Sequence, residues 1–228
     1  ARDRLQTNPQ QRIGIVIPQL AHLRKDVERQ FHATLHPETL TAASHSVSEI
    51  FNISLGTPLA EEPMVQDALL FLDLLRPEKM SLGQIGQLLR SRFIGDYEKE
   101  WACRSLLDRR LRETEPPEMT TGRLLQVLST GAGSNAARCP ELGKRLEKAI
   151  ALQHQKEYDQ EDRATEIATL LETAGWPGKR TLDSREYQCR QHLIGLLEDL
   201  GDLDPIGRGM SFSEALLRLR ERMAWRPE

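Results

Sequence analysis

The chain has 228 residues, 39% hydrophobic and 29% charged, with 31 Lys and Arg against 34 Asp and Glu and a net charge of −3. That length suits one sizeable domain with a real core, or one and a half small ones. The near-neutral balance excludes the bulk basic field that advertises nucleic acid, although a local patch on a neutral domain is compatible with it. No apolar run reaches the roughly 18–20 residues that a membrane span needs, and no signal-peptide pattern is read at the start. Cys103, Cys139 and Cys189 are far apart in sequence and form no Cys-x-x-Cys pair. They read as free thiols of a reduced, cytoplasmic protein, carrying neither a disulfide framework nor a metal. The helix-like start without Met and the stop just after an amphipathic helix suggest an excised piece of a longer polypeptide.

In chain order, "RIGIVIPQL" (Arg12 to Leu20) is a short apolar run ended by proline, the pattern of a buried strand. A helix is expected next over Ala21 to Leu35, with Leu20, Leu23, Val27, Phe31 and Leu35 on one face. His36-Pro37 ends it, and "EIFNISLG" reads as a second strand. Strand, helix and strand imply a βαβ unit with parallel pairing and a right-handed crossover. After Gly56 no further strand is expected. Pro63 opens a helix that directs Val65, Leu69, Leu72 and Leu75 inward and stops at Arg76-Pro77.

Capping boxes Ser81-x-x-Gln84, Asp183-x-x-Glu186 and Ser211-x-x-Glu214 mark three later helix starts. Pro116-Pro117 separates two more helices, and Thr130 to Cys139 reads as the most flexible stretch. The fold class expected is therefore mainly α, with one N-terminal βαβ unit followed by about eight helices. The helical pattern has no fixed period, which argues against a solenoid.

No catalytic constellation emerges. "GAGSNA" (Gly131 to Ala136) imitates a dinucleotide-loop spacing, but it follows a helix and lacks the acid of a following strand. "LGTPLAEEP" follows the expected second strand, yet Thr57 and Pro58 leave too few amides for a phosphate cradle, so a turn into a helix is the better reading. There is no P-loop and no Gly-x-Ser-x-Gly elbow. The histidines (His22, His32, His36, His45, His154, His192) form no metal pair with carboxylates, and Glu61-Glu62 and Glu98-Glu100 read as a helix first turn and a solvated face. What remains is arginine. Arg90 and Arg92 stand at one helix end, and Arg104, Arg109 and Arg110 on the next helix. They either complement helix dipoles and neighbouring acids or contact phosphates.

Taken together, "RIGIVIPQLAHLRKDVERQF", "SLGTPLAEEPMVQDALLFLDLL" and "IGQLLRSRFIGDYEKEWACRSLLDRRLRE" resemble the C-terminal half of UvrD-like superfamily 1 helicases. The likeness is to the AddB and RecC group, and in particular to bacterial probable DNA repair proteins with a PD-(D/E)XK nuclease domain. "GWPGKRTLDSREYQ" and "SFSEALLRL" look like later landmarks of that group. The resemblance implies a partial RecA-like βαβ unit over residues 1–57, a helical 2B-like subdomain over 58–210, and a helix over 211–228 leading back to the RecA-like domain. It implies an inactivated helicase module. Where active helicases carry an arginine that assists ATP hydrolysis, Pro18 and Gln19 follow the strand, and Arg24 is a poor substitute. The expectation is a non-catalytic, cofactor-free part of a helicase-nuclease that binds DNA or scaffolds double-strand break processing, with Arg90, Arg92, Arg104, Arg109 and Arg110 as candidate DNA contacts. The alternative is a helical protein-interaction module that docks a partner subunit.

Overall fold

A computed structural model describes residues 4, 7, 8, 10–35, 51, 53, 58–153, 160–201 and 210–224. The chain divides into two compact units, Ala1–Thr57 and Pro58–Glu228.

In the first unit the apolar spacing after Pro18 forms helix α1 (Leu20–Leu35). Gln19, with φ 60, turns the chain into it. Phe31 and His32 set their rings edge-on to Phe51, with centroids 5.2 and 5.0 Å away. The expected first strand is not formed, because residues 11–17 carry no strand and Ile15 and Val16 are 51% and 94% exposed. A strand exists only by pairing, and among the described residues nothing pairs with this run. Most of the expected second strand lies outside the described residues; Phe51 and Ile53 are described, and neither is in a strand. Of the βαβ pattern, the helix is therefore observed and the parallel pair is not.

The second unit holds eight α-helices among its described residues. They are α2 (Pro63–Asp73), α3 (Leu82–Arg90), α4 (Tyr97–Thr114), α5 (Thr121–Thr130), α6 (Pro140–Gln153), α7 (Gln160–Ala174), α8 (Ser184–Gly201) and α9 (Phe212–Ala224). The sole sheet among the described residues is antiparallel: β1 (Met80–Ser81) on β2 (Glu118–Met119), with Met80 opposite Met119.

Helix α2 is the centre. Pro63 occupies its first turn, where a missing N–H costs nothing. Its side chains from Met64 to Leu72 are buried on nearly every face, so it is enclosed and not amphipathic. It packs on α3, α7 and α8, while α6 packs on α5 and α7, and α9 on α8 and the short 3₁₀ turn Leu59–Glu61. The Ser81 hydroxyl accepts the Gln84 N–H at 3.3 Å and Gln84 returns the bond to the Ser81 N–H at 3.0 Å, closing the expected capping box of α3. Asp183 and Glu186 do the same for α8 at 2.8 and 3.0 Å. Ser211 accepts from the Glu214 N–H at 3.2 Å before α9.

The Gly131 to Ala136 stretch is two packed 3₁₀ turns. A Cβ on Gly131 (φ 62) would lie 2.9 Å from the backbone of Ala137 and Arg138. Arg110 donates from Nε and Nη2 to the Ala132 carbonyl at 3.1 and 2.9 Å. The stretch expected to be most flexible is thus pinned, and it shapes no nucleotide loop.

Candidate functional site

Two loops about eighty residues apart in sequence lie against each other. One leaves α3 as "SRFIGD" (Ser91 to Asp96); the other leaves α7 as "GWPGKR" (Gly175 to Arg180). Glycines with positive φ make the approach possible: Gly95 at 66°, Gly175 at 76° and Gly178 at 91°. The Gly95 N–H donates to the Ala174 carbonyl at 2.8 Å. A Cβ on Gly178 would stand 2.8 Å from the Arg92 carbonyl oxygen, and one on Gly175 would stand 3.1 Å from Gly95 Cα. Trp176, preceding a cis proline, anchors the second loop by donating its indole N–H to the Met64 carbonyl of α2 at 2.9 Å.

The loop pair borders a cleft of about 250 Å³ at the start of α4, lined by Arg92, Lys99, Lys179 and Arg180 together with Asp96 and Glu98. Cations therefore predominate locally on a chain whose total charge is slightly negative. Lys179 and Arg145 donate to the two oxygens of Asp96 at 2.6 and 3.1 Å. Hydrogen bonds from Lys179 first, and then from Arg145, hold the Asp96 carboxyl down at about 2. Arg92 and Arg180 both approach the Phe93 ring, at 5.1 and 5.2 Å from its centroid. Both guanidinium groups also meet the same oxygen of Glu186, the capping-box acid of α8. The Arg92 side chain remains 55% exposed and that of Lys179 68%. Of its four cations, Arg92, Lys179 and Arg180 are each ion-paired with a carboxylate. Among the described residues no group of three His, Cys, Asp or Glu gathers as a metal site.

The five arginines singled out in the sequence do not share one face. Arg92 joins this cleft. Arg90 turns the other way, to Asp108 of α4, where Arg112 also binds at 3.1 Å. Arg109 is exposed and pairs with Glu113 at 3.0 Å. Arg110 is spent on the Ala132 carbonyl. Arg104 is 1% exposed, which removes it from any contact with DNA phosphates. Its Nε and Nη2 donate to Glu100 at 3.2 and 3.1 Å and its Nη1 to the Ile94 carbonyl at 2.9 Å, so it holds the "SRFIGD" loop from below.

Glu100 is likewise not on a solvated face. It is 4% exposed, and its oxygens accept the N–H groups of Glu141 and Leu142 at 2.8 and 3.2 Å, capping α6. Sequence reading passed over Lys99, Lys179 and Arg180. Lys179 and Arg180 stand inside "GWPGKR", a segment noted only as a landmark. The four-residue spacing of Glu100 and Arg104 was the available sign of their pairing. His32 is described and lies against Phe51; His36, His45 and His154, and the side chain of His22, lie outside the described residues.

No helix among the described residues is long and apolar enough to cross a membrane. Comparison with protein-family models, with curated proteins and with solved structures finds no match to this chain.

Proposed function

We propose that the chain is a non-catalytic, DNA-contacting helical module of the helicase-nuclease type that its motifs resemble, used in DNA repair to guide or scaffold the nucleic acid. One observation supports this reading above the rest. Two of the resembling motifs, "LLRSRFIG" and "GWPGKR", meet through their glycines and present Arg92, Lys99, Lys179 and Arg180 around one cleft. Phosphate is the anion such a cation set suits, and phosphate contacts position a protein on DNA without reading sequence. The contact set proposed is thus Arg92 with these three partners, and no longer Arg90, Arg104, Arg109 and Arg110.

The test is a DNA titration across salt concentrations. Each neutralised phosphate contributes a slope near −0.9 on duplex DNA. Arg92→Ala combined with Lys179→Ala is expected to weaken binding at low salt and to flatten the slope by roughly one to two units. Arg109→Ala is expected to change neither. Equal loss in both variants, or no salt-dependent binding by the unsubstituted chain, overturns the proposal.

A protein-interaction role has one observation in its favour. A mixed cleft is lined by Leu74, Leu75, Leu125, Ile150 and Phe212 together with polar residues that include Arg76 and Arg163. Binding of a partner subunit with an unchanged salt slope would move the assignment there.

A further inference from the structure

Cys103 and Cys139 are thirty-six residues apart, yet their sulfur atoms lie 3.6 Å from each other. Cys103 is on α4, one turn before Leu107, and Cys139 immediately precedes α6. Cys103 is partly exposed; Cys139 is fully buried. The Cys139 sulfur lies 3.6 Å from both the Cys103 sulfur and the Ala137 carbonyl oxygen, and the Cys103 S–H donates to the Glu100 carbonyl at 3.0 Å. The third thiol, Cys189 on α8, is in neither contact.

From this juxtaposition we propose that Cys103 and Cys139 are a dithiol modification site that closes to an intramolecular disulfide when the protein meets a peroxide. A disulfide needs sulfurs about 2.05 Å apart, so the pair must close by about 1.5 Å, a shift within reach of two side-chain torsions. The order of events follows exposure. The Cys103 thiolate attacks one peroxide oxygen, the O–O bond breaks, and the departing hydroxide takes up the thiol proton as water. Cys103 is then a sulfenic acid. The Cys139 sulfur attacks the Cys103 sulfur, the S–O bond breaks, and hydroxide leaves with the Cys139 proton as a second water. Two electrons pass from the two thiols to one peroxide. Burial, and then the neighbouring Cys103, push the Cys139 thiol well up, so the partly exposed Cys103 and not Cys139 is the residue that meets the peroxide.

The bond would tie α4 to the start of α6 beside Glu100, whose carboxylate already caps that helix. It would thereby lock the support under the "SRFIGD" loop. The inference does not depend on the DNA reading.

The test treats the whole chain with hydrogen peroxide, quenches with acid, alkylates under denaturing conditions with N-ethylmaleimide and weighs the intact protein. Three adducts are expected before oxidation and one after, on a chain lighter by two hydrogens, with a non-reducing digest joining the Cys103 and Cys139 peptides. Cys189→Ala should still close the bond and end with no adduct. Cys103→Ala should leave Cys139 open to alkylation; should that variant fail to fold, the peptide map of Cys189→Ala decides alone. The oxidised chain should melt higher by about 5–10 °C, because the closed loop restricts the unfolded state. Three adducts after peroxide, a link through Cys189, or dimers joined between chains would each overturn the proposal.

Discussion

Glu100 and Arg104 form a deeply buried ion pair. Both side chains are almost fully buried, and each is needed to neutralise the other. A buried ion pair has little net effect on stability against an apolar replacement of both partners, but removing one partner strands a charge. Arg104→Met is therefore expected to destabilise the fold by about 3–5 kcal/mol in urea unfolding. Glu100→Gln combined with Arg104→Met should cost less than the two single changes added together. Strict additivity would show that the pair is not coupled. Asp96 offers a pH test on the same scale. Its folded-state carboxyl titrates at about 2 against an ordinary 3.8, so the folded protein binds fewer protons there than the unfolded chain. Its contribution is fully present above about pH 4 and is lost as the pH falls toward 2. Asp96→Asn should make the loss of stability between those values shallower. An identical acid limb in both proteins would contradict the role given to Lys179 and Arg145.

At the scale of elements, the helices were readable because their starts are written locally. Ser81 with Gln84, and Asp183 with Glu186, close their boxes with bonds between residues three apart, and Pro63 opens α2 as its fixed φ dictates. The strand over Ile13 to Ile17 was misread for the opposite reason. A continuous apolar run says only that a segment could be buried, whereas a strand also needs a distant partner, and Val16 is exposed instead. The loop pair was invisible in the sequence because it joins Arg92 to Gly178 across the whole middle of the chain. Glycine carries that junction, and this can be checked. Gly178→Ala adds a Cβ at φ 91 and 2.8 Å from the Arg92 carbonyl, so it should destabilise by about 1–3 kcal/mol. Gly122→Ala, inside α5 with no atom within 4 Å of the new Cβ, should stabilise by about 0.5–1 kcal/mol. Equal effects at both positions would show that the loops do not depend on this close approach.

For the whole molecule, the deciding fact is where burial lies. Every buried apolar side chain among the described residues belongs to Pro58–Glu228, from Met64 to Met223, and all of them but Ala164 form one connected cluster. Among the described residues of Ala1–Thr57, no apolar side chain reaches full burial. Stability follows the apolar area removed from water, so the cooperative transition of the chain should belong to the second unit. Residues 58–228 produced alone are expected to unfold in a single transition, with a urea midpoint close to that of the 228-residue chain. Arg92, Lys99, Lys179 and Arg180 lie within those residues. The shortened chain should therefore keep whatever salt-dependent DNA affinity the full chain has, at a similar slope. A broad, non-cooperative melt of 58–228 would mean that the first unit completes the core. A cooperative melt with lost DNA affinity would move the nucleic-acid contact to α1 and the residues that flank it.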